Sequence, residues 1–436
     1  MLGNRTGYRT VGYTIAEKIL GAHSGGAPVT AGDVVVASVD FAMVHDARAA
    51  NALKAIDSLG LDALPHARHT AFVLDHFSPP PTREAANVHA AMRAFCERTG
   101  AVLYDVGDGI CHQVLPENGH LTAGDLVVGT DTHSTTYGAF NAYGTGHEGS
   151  DVAAILATGR TWFRVPETIR VDMPGRLVPG VWAKDVTLAM LGRLGAEGAN
   201  FRVIEYAGSA VAAMAIDDRM TLANHAAELG AEAAILECDE KTVAWLAAHG
   251  ARAPRPVSAD ADARYVERFT LDASTLAPKV AHNHDIGDVV DVTALAGEPV
   301  QVALIGTCTN GRLDDIRQAA SILRGRRIAR GVRLVITPAS RAIYLAAMRE
   351  GLIEALTEAG ASVDPAGCGT CVGITHKLMA ADRERVISSA NRNFKGRLGN
   401  PDSDILIASS ATVAASALTG RVTDPREIAA DIRAAA

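Results

Sequence analysis

Short apolar runs, each closed by polar or glycine residues and followed by a stretch of helical composition, recur at both ends of this chain. In the first third they are Asp33-Val-Val-Val-Ala-Ser-Val39, Ala71-Phe-Val-Leu74, Val102-Leu-Tyr104 and Asp125-Leu-Val-Val-Gly129. In the last third they are Val300-Gln-Val-Ala-Leu-Ile305, Val332-Arg-Leu-Val-Ile336, Arg385-Val-Ile-Ser388 and Asp404-Ile-Leu-Ile-Ala408. Runs that are apolar throughout suit strands buried on both faces, and alternation with helices predicts parallel sheets in an α/β fold. A short helix is predicted from Thr14 to Leu20, and further helices over 49–59 and from Pro81 through about Cys96.

The texture changes after Pro166. Thr168-Ile-Arg-Val-Asp-Met173 alternates as a half-exposed strand, helices are predicted over 183–194 and 222–229, and residues 251–296, rich in Pro, Ala and Asp, read as a connection. The chain thus divides into α/β units at 1–165, 166–295 and 296–436, in keeping with a length too great for one core. Within Arg202-Val-Ile-Glu-Tyr206, Glu205 interrupts an apolar run, so it is either paired or on the wet face of a strand.

The residues just past the strands are more informative than the strands themselves. The first group delivers His45-Asp46, Asp75-His76, Cys111-His112 and Asp131-Thr-His133, and the last group delivers Cys308, Asn391-Arg392 and Arg397. Ligands of open α/β sheets bind outside the carboxyl ends of the strands. Repeated Asp and His at those ends therefore predict one crevice, with arginines suited to bidentate capture of carboxylate.

The cysteines sharpen this. Leu304-Ile-Gly-Thr-Cys-Thr-Asn310 and Ala366-Gly-Cys-Gly-Thr-Cys-Val-Gly373 supply Cys308, Cys368 and Cys371 in glycine-rich settings. Three thiolates leave a coordination position open, as catalysis requires, and on softness alone suit zinc or an iron–sulfur cluster. Cys96 and Cys238 read as buried thiols, and Cys111, beside His112, as either. Gly144-Thr-Gly-His-Glu-Gly149 matches the dinucleotide fingerprint, but without a convincing strand before it the segment reads as a turn and helix start serving the Asp131–His133 loop.

Composition narrows the function classes. A formal charge of −8 and 5% aromatic residues argue against nucleic-acid binding, and the basic run Arg324-Gly-Arg-Arg-Ile-Ala-Arg330 suits a solvated helix end. The longest apolar stretches are too short to span a bilayer, the opening Met1-Leu-Gly-Asn-Arg-Thr-Gly-Tyr8 lacks a signal-peptide core, and six cysteines are too few for a disulfide framework. These point to the cytoplasm. An open thiolate site, acid–base pairs and arginines together suit dehydration or hydration of a hydroxy di- or tricarboxylic acid.

Gly129-Thr-Asp-Thr-His133, Cys308-Thr-Asn310, Cys368-Gly-Thr-Cys371 and Ser389-Ala-Asn-Arg-Asn-Phe-Lys-Gly-Arg397, in that order, resemble the aconitase superfamily, in particular the large subunits of the isopropylmalate dehydratase and homoaconitase group. The likeness extends through Thr14-Ile-Ala-Glu-Lys18, Gly109-Ile-Cys-His-Gln-Val-Leu-Pro116 and Thr161-Trp-Phe-Arg-Val-Pro-Glu-Thr168. It implies three α/β domains around a cleft, and a 4Fe–4S cluster on Cys308, Cys368 and Cys371 with one iron left for substrate. It pairs Asp75 with His76, Asp131 with His112, and Glu205 with His133, and places Asn391, Arg392 and Arg397 against substrate. It also implies a hydro-lyase isomerising 2- and 3-isopropylmalate, as in leucine biosynthesis; homoaconitase, a dehydratase for a methylated malate, or more remotely a cluster-sensing regulator are the alternatives. The family's swivel domain, which carries the catalytic base, has no counterpart after Ala411, so it is expected on a separate small subunit. Two departures bear on substrate: Thr132 stands where relatives usually have serine, and His45 where they usually have an amide.

Overall fold

The computed structural model describes residues 12–60, 63–373 and 380–428. The opening segment read for a signal peptide lies outside them. Three sheets of four or more strands order the chain. The first is wholly parallel, in the order Val102–Tyr104, Thr70–Val73, Phe41–His45, Leu126–Gly129, Tyr143–Gly146. The second, also parallel, runs Ala233–Leu236, Arg202–Ala207, Glu167–Asp172, Glu267–Thr270. The third sets Asp404–Ala408, Arg385–Ser388, Val302–Gly306, Arg333–Thr337 and Ser362–Val363 side by side and parallel, with Lys279–Ala281 and Val289–Asp291 antiparallel on one edge. This is the α/β architecture expected, and one continuous core from Phe41 to Val422 joins the sheets.

Two sequence expectations shift. The connection over 251–296 contains strands, and two of them extend the third sheet. The run Asp33–Val39 forms Val34–Ser38, which pairs only with Arg160–Arg164 as an antiparallel ribbon, while Phe41–His45 enters the sheet. Val34 and Val36 are exposed, so that run is an edge ribbon. Asp40 accordingly sits at the opposite sheet edge from the ligand side, accepting from His23 Nε2 at 2.6 Å and from Leu126 N at 2.9 Å.

Local chemistry explains the element ends. Thr14 and Glu17 form a reciprocal capping box on Ile15–His23. The glycines of 144–149 serve close approach: a Cβ on Gly144 would meet Ser134 O at 2.3 Å, and one on Gly146 would meet Asp131 O at 2.6 Å. The edge strand Tyr143–Gly146 thus lies directly behind the Asp131 loop, and the segment is structural there.

Asn141 closes that loop in a left-handed conformation (φ 64°), and its buried side chain donates to Leu236 O and Val257 O and accepts from Val257 N. Asn141→Ala would leave buried Leu236 O and the half-buried Val257 N and O without their amide partner, and put a side chain with no local hydrogen-bonding group at positive φ. A loss of about 3 kcal/mol in chemical denaturation is expected, against a null result if water replaces the amide.

Candidate active site at the carboxyl edges of two parallel sheets

Each parallel strand of the first sheet releases its next residues on the same side. Thr70–Val73 is followed by Asp75 and His76, Leu126–Gly129 by Asp131 to His133, and the helix Cys111–Glu117 brings His112 to the same place. Asp131 is the hub. Its Oδ1 accepts from His112 Nε2 at 2.9 Å, His133 N at 2.7 Å and His133 Nδ1 at 3.1 Å, and its Oδ2 faces His76 Nε2 at 3.3 Å. Burial opposes its charge, but the His112 side chain and the other histidines hold its carboxyl far below the usual range.

Two of the histidines lie between two carboxylates. His76 has Asp75 Oδ1 at 2.7 Å on Nδ1 and Asp131 on Nε2; His133 has Asp131 on Nδ1 and Glu228 Oε1 at 2.8 Å on Nε2. Both nitrogens then carry protons. Against burial, the nearby Cys368 and Asp75 raise His76 well above its ordinary value, and Cys308, Asp131 and Glu228 raise His133 to about 10. His112 is instead lowered by burial, and His45 is pulled to about 4 by burial and by His76, on which it stacks with ring centroids 4.0 Å apart. His45 Nε2 is 3.1 Å from Thr130 O and 4.0 Å from Asp131 Oδ2, so it borders the hub directly as well as through His76.

The third sheet meets this edge. Cys368 N donates to Asp75 O at 2.7 Å, and Ile110 N to Ala339 O at 2.8 Å. Cys308 follows Val302–Gly306 through a tight turn in which Gly306 has φ 148° and Thr307 φ 70°. A Cβ at Gly306 would meet Thr337 O at 2.4 Å. Fully buried Arg312 ties the turn down, donating to Cys308 O and Thr309 O at 2.6 and 2.5 Å.

The helix Ile216–His225 and the 3₁₀ turn Ala226–Leu229 bridge the two edges. Asn224 Oδ1 accepts from Thr309 Oγ1 at 2.6 Å and Asn391 Nδ2 at 3.2 Å. Glu228 binds His133 and also accepts from Arg392 Nε at 2.9 and 3.0 Å. Burial opposes its charge, but His133 and Arg392 bring its carboxyl down to about 2. Arg392 Nη2 reaches exposed Thr132 Oγ1 at 3.2 Å.

Glu205 is elsewhere. It is fully buried, accepts from Ile15 N at 2.7 Å and Tyr265 Oη at 2.9 Å, and has Arg170 at 3.6 Å. It fastens the first helix to the second sheet, and the carboxylate on His133 is Glu228. Sequence reading missed Glu228 and Asn224. The signal available was the spacing of Thr221, Asn224 and Glu228, polar residues on one face of a helix that is otherwise buried.

All three candidate cysteines are buried and none is in a disulfide. Asn391 Nδ2 lies 3.7 Å from Cys308 Sγ and Arg397 Nη2 3.3 Å from Cys371 Sγ. Burial opposes ionisation of Cys371, but Arg397 brings it below the ordinary thiol value. Among the described residues, His45/Asp46/Asp75/His76 and His112/Asp131/His133 are the sets whose ligand atoms all fall within 4.8 Å; the cysteines do not form such a set. Sulfurs about 2.3 Å from one ion are at most about 4.6 Å apart, so the three thiols fit a group with several metals better than a single zinc.

A family model described as the aconitase family (aconitate hydratase) matches residues 17–299 and 293–420. The chain belongs to the aconitase family. It is 44% identical over 417 residues to the 3-isopropylmalate dehydratase large subunit 1 of Methanopyrus kandleri, covering 95% of this chain and 99% of that one. It is 45% identical to the 3-isopropylmalate dehydratase large subunit 2 of Archaeoglobus fulgidus, covering 96% and 100%. A probable methanogen homoaconitase large subunit of Methanosarcina mazei is 42% identical, covering 90% and 100%. The reaction class that goes with this family and these names is that of a hydro-lyase. No helix among the described residues is long and apolar enough to cross a membrane.

Proposed function

We propose that this chain is the cluster-holding subunit of a two-chain cytoplasmic dehydratase acting on a hydroxy di- or tricarboxylic acid, with isomerisation of 2- and 3-isopropylmalate as its reaction. The observation that carries this reading is the meeting of three buried thiols, the Asp131 histidine hub and two arginines where the sheets' carboxyl edges converge. A 4Fe–4S cluster on Cys308, Cys368 and Cys371, with one iron free of cysteine, would supply a Lewis acid for a substrate hydroxyl and carboxylate.

The chain's own residues do the rest. Arg397 and Asn391 point hydrogen-bond donors at thiolate sulfur, which tunes such a centre. Arg392, held by Glu228, and Thr132 form the carboxylate-binding wall. His76 and His133 are each protonated between two carboxylates, and a turn of either ring off one carboxylate would free an N–H to protonate a departing hydroxide. His112, neutral on Asp131, keeps that carboxylate oriented. The relatives' names as large subunits support a second chain, and we assign to it the swivel domain with the base; this chain contributes the three α/β units, the third of which takes in the strands Lys279–Ala281 and Val289–Asp291.

The homoaconitase reading shares all of this and differs in the substrate's side chain. Thr132 adds a methyl to the carboxylate-binding wall, and His45 changes the ring packed behind His76. Anaerobic steady-state kinetics of the chain co-purified with its partner subunit, on isopropylmalate, homocitrate, citrate and methylated malates, is the test. A kcat/KM for isopropylmalate at least about tenfold above the others is expected from pocket contacts of this size; preference for homocitrate would move the assignment to homoaconitase.

A further inference from the structure

Lys184 is the second residue of the helix Ala183–Leu194 and is fully buried. Its ammonium donates to Ala390 O at 2.8 Å and Ser389 O at 3.2 Å, with His225 Nε2 at 3.3 Å. The buried arginine Arg219, by contrast, has its carboxylate partner, Asp239. No ion pair to Lys184 within 4.0 Å is found among the described residues. A buried ammonium satisfied by carbonyls has been placed where those carbonyls need holding.

Those two carbonyls belong to the turn leaving Arg385–Ser388. The same turn is held from its other side by Ser389 Oγ, which accepts from Gly306 N at 3.0 Å, and by Ser388 Oγ, which accepts from Ala390 N at 3.0 Å. The next two residues are Asn391, against Cys308 and Asn224, and Arg392, against Glu228 and Thr132. Lys184 therefore fixes two peptide planes directly before the site's amide and guanidinium. Through His225 it also touches the helix that carries Asn224.

We propose that Lys184 is a positioning residue: its donors to Ser389 O, Ala390 O and His225 set the turn that presents Asn391 and Arg392, and it acts on substrate binding through Arg392. The kinetic part rests on the proposed activity; the structural part does not. In the cluster-loaded complex with the partner subunit, Lys184→Met keeps the apolar stem and removes the donors. Iron and sulfide content are expected to be unchanged. Hydrogen exchange of amides 389–393 should quicken about tenfold or more while that of Thr70–Val73 in the first sheet stays the same. KM for 2-isopropylmalate should rise about tenfold or more with kcat reduced no more than about threefold, and Lys184→Gln should recover part of this.

In Arg392→Ala, adding Lys184→Met should cost little more, since both changes act on one contact. Should Lys184→Met fail to fold, Lys184→Gln against wild type carries the same comparison, with the exchange rate as its primary measure. Unchanged exchange at 389–393 in folded protein overturns the proposal, as does a full KM penalty on the Arg392→Ala background. Quickened exchange with a KM that Arg392→Ala itself does not move keeps the positioning role and instead overturns the assignment of Arg392 to substrate.

Discussion

Cys308→Ser is expected to give a folded chain with almost no iron or sulfide, and activity below about a thousandth of wild type. The scaffold presenting residue 308 does not depend on its sulfur: the turn is held by Gly306 against Thr337, by Arg312 on the carbonyls of Cys308 and Thr309, and by Thr309 on Asn224. Serine fits there and removes only the soft ligand, so the loss falls on metal affinity and not on folding. The measurement is iron and acid-labile sulfide per chain after anaerobic reconstitution, alongside the thermal midpoint of metal-free protein. Wild type should hold about four irons and the variant near none, with matching metal-free midpoints. Cys96→Ser, at a buried thiol on Arg83–Thr99 that faces Val102 O, should keep the full complement. Full iron and sulfide in Cys308→Ser, or one zinc and no sulfide in wild type, would remove the cluster reading.

The parts of this site legible in the sequence are those whose backbone setting is distinctive. Cys308, Cys368 and Cys371 sit in glycine-rich turns after apolar runs, and Asp75-His76 and Asp131-Thr-His133 come after strands, so residue type and local pattern agree. The structure brings these residues together. Glu228 has no such setting. It lies in a 3₁₀ turn extending a helix, where a glutamate is ordinary, and its role comes only from the packing of Ile216–His225 against the Asp131 loop. Glu205 misleads because an acid inside an apolar strand does need a partner; the partners are Ile15 N and Tyr265, supplied from 190 and 60 residues away. The edge ribbon misleads for a related reason. Val34, Val35 and Val36 look like a core strand until the sheet is seen to close without them, and Phe41–His45, immediately after, takes the central place.

The two glutamates provide the second large effect, because their substitutions should separate catalysis from stability. Glu228→Gln removes the anion that both His133 Nε2 and Arg392 Nε contact. Without it His133 loses one of the two carboxylates that keep it protonated, and its proton affinity falls from the raised value of about 10 toward that of ordinary imidazole. Arg392 loses a two-oxygen grip and the orientation toward Thr132. Loss of a charge-paired proton donor and a fixed arginine together predicts kcat/KM lower by about 10²- to 10³-fold, with full iron content. A histidine with a lowered proton affinity is protonated over a narrower range, so the alkaline limb of kcat should move to lower pH. Glu205→Gln should do the opposite. Its amide still accepts from one of Ile15 N and Tyr265 Oη, and the weakened docking of Ile15–His23 should cost about 1–2 kcal/mol of stability. kcat/KM of the folded protein should stay within about twofold, since no atom of Glu205 contacts the hub. A Glu205→Gln enzyme with normal stability and a thousandfold defect, beside a Glu228→Gln enzyme of normal activity, would reverse the assignment of His133's partner.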